Sequence, residues 1–108
     1  MKELTVNEHL QEQLKDPYFK ELYELEHQKF DIVKKIIDYR IQRNISQTDL
    51  AKEAGVSQQH ISKIENGEFS NIMTLQKVLL HIGLTVRLKV VELNTRVKRQ
   101  IKKAMASA

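Results

Sequence analysis

No cysteine occurs among the 108 residues, which excludes disulfides and thiolate metal sites. Tryptophan is also absent, and there are only three glycines and one proline. So sparse a supply of turn formers and aromatics, beside 30% charged residues, favours a helical soluble protein over a β-sandwich. No apolar run approaches the ~18 residues of a membrane span. The start, Met1-Lys2-Glu3-Leu4-Thr5-Val6-Asn7-Glu8, lacks the apolar core of a signal peptide, and the expected compartment is the cytoplasm. Catalytic signals are equally scarce. His9, His27, His60 and His81 do not fall at metal-ligand spacing, no glycine loop suits a phosphate, and no serine sits in a nucleophile turn. The expectation is a non-enzyme with no cofactor, no metal, no membrane partner and no small-molecule substrate. Tyr18, Phe19, Tyr23 and Phe30 fall at helical spacing and read as packing.

Charge is unevenly spread beneath a net +4. Residues 1–44 carry eight Lys/Arg against nine Asp/Glu, and residues 45–93 carry five of each. The last fifteen residues hold Arg96, Lys98, Arg99, Lys102 and Lys103 and no acid. The basic character therefore belongs to the tail at 94–108. That tail reads either as a solubilising frayed end or as an arm for phosphates or an acidic partner.

Four regions follow from the patterning. Residues 1–28 are an extension, whose first fifteen residues, with Leu4, Val6, Leu10 and Leu14, fit a short helix or a disordered arm. Asp16-Pro17 is a good helix start, an N-cap followed by proline at the first helical position. From there Phe19, Leu22, Glu26, Phe30, Val33, Ile37 and Ile41 follow helical spacing, with Tyr18, Leu25 and Ile36 widening the stripe. The apolar sequence breaks near Glu26-His27-Gln28-Lys29, so one helix to about Glu26 and another from about Lys29 to Arg43 are expected, or a single continuous one. Residues 29–83 form the central domain. Asn44 is a plausible cap at its first helix end. Ser46 with Asp49 makes an aspartate form of the capping box. The helix carrying Leu50, Ala51 and Ala54 ends at Gly55, where glycine permits a left-handed backbone. Val56 plugs the turn. Ser57 caps a helix whose Ile61 and Ile64 face inward, ended by Asn66-Gly67. Asn71 caps a helix with Ile72, Leu75, Val78, Leu79 and Ile82, stopped by Gly83.

The period then changes. Leu84, Val86, Leu88 and Val90 alternate with Thr85, Arg87, Lys89 and Val91 over residues 84–93, a strand pattern. A lone strand needs a partner, and the chain offers no second one. Pairing with its copy in a symmetric dimer, through Val86, Leu88 and Val90, is the expected solution.

The most informative stretch is Ser46 to Gly67, two short amphipathic helices joined by one glycine turn. Ala51 is small where two helices must cross closely. The outward positions of the second helix are Gln58, Gln59, Ser62 and Lys63, with His60 beside them. Glutamine offers a donor and an acceptor together, matching adenine N6 and N7 in a bidentate contact of roughly 1–3 kcal/mol; Lys63 suits guanine or a phosphate. These four are the expected base readers. Ser46, Gln47, Ser57 and His60, near helix N-termini with free N–H groups, are the expected phosphate contacts. The competing reading of Gln58 and Gln59 is a solvated helix start.

Ser46, Gln47, Leu50, Ala51, Gly55, Val56, Ser57, Ile61, Ser62, Ile64, Glu65 and Gly67 fill the anchor positions of a motif that resembles the Cro/C1-type helix-turn-helix family, over roughly residues 30–83. The resemblance implies a mainly α, lambda-repressor-like bundle, here with an added C-terminal dimerising β-strand. It implies a repressor that binds double-stranded operator DNA as a homodimer. It also implies a structural pairing of Arg40 with Glu65; a phosphate contact by Arg40 is the alternative. The layout of extension, central module and strand is similar to HigA-type antitoxins. That likeness implies a HigB-like RNase toxin as partner and repression of the chain's own operon. Such toxins are basic, and Glu8, Glu12, Asp16, Glu21, Glu24, Glu26 and Asp31 are a suitable complement. The alternatives are a stand-alone phage-type or metabolic repressor without a toxin, and an RNA-binding or protein-interaction adaptor.

Overall fold

The structure is a computed structural model that describes residues 5–107; Leu4 at the head of the extension and Ala108 at the end of the tail lie outside them. Six helices follow one another: α1 (Val6–Gln13), α2 (Pro17–Gln42), α3 (Gln47–Ala54), α4 (Gln58–Glu65), α5 (Ile72–His81) and α6 (Thr95–Ser107). Gln28–Leu88 forms one compact unit, while α1, the start of α2 and α6 fall to the other.

Local chemistry sets most helix starts. Ser46 Oγ accepts the Asp49 N–H at 3.0 Å, and Asp49 Oδ2 accepts the Ser46 N–H at 3.0 Å. The expected capping box is thus formed, and two donors that a helix start leaves orphaned are satisfied together. Ser57 Oγ accepts from the His60 N–H at 3.2 Å, and Asn71 Oδ1 from Met73 and Thr74, both at 3.1 Å. Asp16 Oδ1 accepts from the Tyr18 N–H at 2.9 Å, with Pro17 at the first helical position. The start of the chain settles as a helix through a box overlooked in the sequence, Thr5 with Glu8.

Four helix ends are followed by a left-handed residue: Asn44 past α2 at φ 53°, Gly55 past α3 at 73°, Gly67 past α4 at 81° and Gly83 past α5 at 85°. At Gly55 the chain turns so sharply that the Val56 N–H reaches the Ala51 carbonyl at 2.9 Å. Lys77 Nζ donates to the Gly55 carbonyl at 2.9 Å, fastening the turn to α5.

The core lies within Gln28–Leu88. Ile36, Leu50, Ile61, Leu75 and Val78 are fully enclosed, with Ala51, Ala54, Ile64 and Leu79 nearly so. Ile32, Tyr39, Ile45, Val56, Phe69, Ile72, Ile82 and Val86 close its rim. The three short helices α3 to α5 and the end of α2 each give it one face. Their separate propensities are too weak to hold so short a helix in water, so packing supplies the rest.

One alternative is decided and two expectations need correction. First, of the two arrangements open for residues 17–43, the structure has the single continuous helix, without a break at Glu26-His27-Gln28-Lys29. Charged and amide side chains interrupt an apolar stripe without opposing helix, and Lys29 Nζ lies 5.6 Å from the centre of the Phe69 ring. Second, the buried edge of α2 runs through Ile32, Ile36 and Tyr39, whereas Phe30 and Ile41 are about two-thirds exposed. Third, no strand forms among the described residues. Residues 84–94 carry no regular structure, and residues 95–107 are helix in place of a frayed tail. Part of the reason lies in α5: Gln76 Oε1 accepts the Val86 N–H at 2.9 Å, and Gln76 Nε2 donates to Thr85 Oγ1 at 2.8 Å. One ladder donor is already taken, and no second strand stands among the described residues to receive the others. Asn94 Oδ1 then starts α6 by accepting from the Val97 N–H at 2.8 Å.

The capping box makes folding pH-dependent. Hydrogen bonds from the Ser46 backbone and then its hydroxyl hold the Asp49 carboxyl below its ordinary value, with a smaller pull from Lys52. A depressed value in the folded state means the stabilisation is complete above the unfolded value of about 3.9. It disappears as pH falls through the lower folded value. In urea titrations Asp49→Ala is therefore expected to be less stable than the wild type from pH 5 upward, with the difference shrinking steadily below about pH 4. A gap that persists unchanged at pH 2.5 would contradict this assignment.

Candidate nucleic-acid interface

The site is built on a hydrogen-bonded chain that crosses three helices. Arg40 Nε donates to Glu65 Oε2 and Arg40 Nη2 to Glu65 Oε1, both at 2.9 Å. The third guanidinium nitrogen, Nη1, donates to the Ile45 carbonyl at 3.2 Å. Glu65 Oε1 also accepts from Gln47 Nε2 at 3.2 Å, and Gln47 Oε1 accepts from Gln58 Nε2 at 2.9 Å. Arg40, Glu65, Gln47 and Gln58 therefore stand in one line from the end of α2 to the first turn of α4.

Each link depends on its neighbour. The guanidinium matches a carboxylate two bonds at a time, which fixes the rotation of both side chains. The Glu65 side chain is only 7% exposed, so its charge relies on Arg40 for compensation. That hydrogen bond raises the Arg40 pKa, against the opposing pull of burial and with Coulombic help from Glu65. The carboxylate then has one lone pair directed at Gln47. An amide that donates to Glu65 has its oxygen on the opposite side, and that oxygen meets Gln58. The orientation of Gln58 is in this way inherited from Arg40.

Ile61 and Ile64 anchor α4 inward. Gln58, Gln59 and Lys63 are exposed on its other side, with Ser62 half-buried. Gln58 is tied to Gln47, whereas the Gln59 amide and the Lys63 amine make no hydrogen bond among the described residues. Ser57 Oγ accepts the His60 N–H and lies 2.9 Å from His60 Nδ1, so Ser57 and His60 form a closed pair at the helix start. Ser46 is engaged with Asp49 through both its hydroxyl and its N–H within the capping box. The structure thus brings Gln47 and Gln58 together and joins Ser57 to His60. Val86 is half-buried at the core rim, while Leu88 and Val90 are open to solvent, at 75% and 104% exposure.

Sequence reasoning missed two contributors. Gln47, expected as a motif anchor and a phosphate contact, is also the link between Glu65 and Gln58. Lys77 was not singled out, although it holds the turn on which α3 and α4 pivot. Gln47 opens α3 and Gln58 opens α4, and two glutamines at corresponding positions of consecutive helices were the available signal.

No group of three or more His, Cys, Asp or Glu among the described residues could hold a metal ion, and no helix among them is long and apolar enough to cross a membrane. Two short helices meeting at a glycine turn, the second presenting polar side chains while its other face is buried, define the class of helix-turn-helix DNA-binding regulators. Residues 36–88 match the Helix-turn-helix family and form a helix-turn-helix domain of Cro/C1 type. No curated protein and no solved structure matched the chain.

Removing Arg40 leaves the enclosed Glu65 carboxylate without its counter-charge. A fully buried pair broken in this way costs about 3–5 kcal/mol; water still reaches the edge of this guanidinium, and Arg40→Met is expected to cost about 2 kcal/mol in chemical denaturation. The double variant Arg40→Met/Glu65→Met is expected to recover most of that loss, and a double variant less stable than Arg40→Met would refute the pairing as the cause.

Proposed function

We propose that this protein is a homodimeric, sequence-specific repressor that reads operator DNA with α4. The observation that carries the reading is the chain from Arg40 to Gln58, which sets one glutamine amide rigidly beside a second, Gln59, on the exposed turn of α4. A side chain held before binding loses less conformational freedom when it binds. A held amide therefore discriminates better between adenine and other bases than a mobile one. In this reading Gln58, Gln59, Ser62 and Lys63 face base edges. Ser46, Gln47, Ser57 and His60 lie toward the phosphates. The α4 helices of two subunits enter successive major grooves about one helical turn (~34 Å) apart.

Dimerisation through residues 84–93 fits the exposed Leu88, Val90 and Val91. In a strand, backbone groups alternate between the two edges. With the Val86 N–H turned to Gln76, those of Arg87 and Lys89 would serve the opposite edge, where a second copy adds its own strand.

The dimer is further proposed to be the antitoxin of a toxin–antitoxin pair, gripping a basic HigB-like RNase with its extension. Glu8, Glu12, Asp16, Glu21 and Glu24 are exposed from α1 to the start of α2, with Leu22 and Leu25 half or more exposed beside them. Acids around an apolar strip suit a cationic protein partner. A stand-alone repressor without a toxin is the second reading, and the same α4 surface serves it.

Gln58→Ala and Gln59→Ala are each expected to lower the preference for the cognate site over a scrambled one by roughly 5- to 100-fold. Anisotropy titrations on both duplexes read this directly, and an unchanged ratio would remove the altered glutamine from base reading. The partner reading is tested by coexpression with the product of the adjacent reading frame, followed by sedimentation of the purified species. A stable complex that is lost on deletion of residues 1–28 is expected. A free chain sedimenting as a dimer with no complex would select the stand-alone repressor, and a monomeric chain would sink the dimer.

A further inference from the structure

The five cations at the end of the chain are unexplained by α4, and the structure gives them an arrangement that a charge count could not show. At about 100° per residue, Lys98, Lys102, Arg99, Lys103 and Arg96 fall in that angular order within one arc of about 160° on α6. Val97, Ile101 and Ala104, all half-buried, and the exposed Met105 occupy a separate arc of about 100°. All five cations are exposed. Among the described residues, only Lys98 of these five has an acidic ion-pair partner, Glu92, at 3.5 Å, and Glu92 is itself 85% exposed in its side chain.

We propose that α6 is a second DNA-contacting element, which binds backbone phosphates beside the operator without reading their sequence. The inference rests on the operator-binding reading above and adds the source of its electrostatic affinity. Three observations favour a duplex. First, residues 45–93, which include α3 and α4, hold five cations and five acids. With a net +4 overall, everything outside the five α6 cations sums to −1. Duplex binding draws most of its sequence-independent strength from neutralised phosphates, and α6 has the largest local surplus: the next, residues 29–43, holds five cations against two acids, and its Arg40 is committed to Glu65. Second, the charge density fits. Arg96 to Lys103 spans about 10 Å of helix, and the same length of duplex carries about six phosphate charges. Third, the apolar arc is made of Val97, Ile101, Ala104 and Met105, with no Leu, Phe or Trp. That is too little to seat a helix in a lipid interface and is enough to rest against protein. An acidic protein is the remaining occupant, and the chain's own Glu-rich extension would be one such surface; the test separates it.

The probe is a duplex selected from a random pool by the full-length protein, together with a scrambled duplex of equal length. Dissociation constants are measured for the full chain and for a variant with Arg96, Lys98, Arg99, Lys102 and Lys103 all replaced by Gln, a residue of similar helix propensity. At about 0.9 of slope per phosphate, the slope of log K against log salt is expected to shrink by about 4 per subunit. Between 50 and 200 mM salt the wild type should then lose about 250-fold more affinity than the variant for each subunit engaged, and the square of that for a dimer bound through both α6 helices. The ratio of selected to scrambled binding should stay the same. The double variant Arg99→Gln/Lys103→Gln, expected to lose about 2 of slope, guards against a fold defect in the fivefold one. An unchanged slope in both variants overturns the proposal, as does a loss of selectivity in step with slope, which would place α6 among the base readers. Retained slope with loss of wild-type binding to vesicles containing phosphatidylserine, or to the isolated 1–28 peptide, overturns it in favour of lipid or the acidic extension. If the wild type enriches no sequence from the pool, the operator reading itself has failed, a result distinct from any of these.

Discussion

The pair formed by Arg40 and Glu65 organises the reading domain. Three elements meet at it: α2 supplies the guanidinium, α4 the carboxylate, and α3 the amide of Gln47. The fourth contact, to the Ile45 carbonyl, holds the short connection between α2 and α3. A hydrophobic core alone leaves neighbouring helices some freedom to slide, because apolar contact is weakly directional. A bidentate ion pair is not so tolerant. With Glu65 almost enclosed, a displaced α4 would strand a charge, and the cost of that stranding keeps the helix in register.

Around this constraint the core does the stabilising. Ile61 and Ile64 of α4 meet Leu50, Ala51 and Ala54 of α3 and Leu75, Val78 and Leu79 of α5. Burial near 25 cal/mol per Å2 of apolar surface makes these side chains the principal favourable contribution in a unit this small. Division of labour follows. Apolar residues hold the helices together, the ion pair sets their register, and the polar side of α4 is left with no structural duty except through Gln58. That side chain belongs to both systems, since it is positioned by the network and exposed at the surface.

The residues legible in the sequence were those whose conformation is settled within four or five positions. Ser46 with Asp49, Ser57, Asn71, Gly55 and Gly83 punctuate the chain where the helices begin and end, because a cap or a left-handed turn satisfies backbone groups in its own immediate vicinity. Arg40 with Glu65 was reached only through the family resemblance, since a separation of 25 residues has no local signature. The face of α2 was misjudged for a definite reason. Ile32, Val33, Ile36, Ile37 and Ile41 spread over about half of the helix circumference, wider than the buried edge, so periodicity alone does not choose among them. The strand at 84–93 was read from a real alternation, but pairing needs a second strand, and Gln76 takes the Val86 N–H in the only chain present. In α6 the signal existed, as Asn94 followed by Val97, Ile101 and Ala104, and it was overlooked because the charges were counted without their phase.

What the sequence by itself determined is therefore local and additive: composition, helix punctuation, the absence of thiols, the placing of cations at one end, and a motif specific enough to assign its family. What the tertiary structure decided is relational. It chose which edge of α2 is buried, joined Gln47 to Gln58 across the turn at Gly55, and sorted five cations of α6 onto one face. The physical reason is distance along the chain. A cap is closed by its neighbours three residues away, whereas the direction of the Gln58 amide depends on a carboxylate in the last turn of α4 and on an arginine near the end of α2, and no local pattern encodes where those will meet.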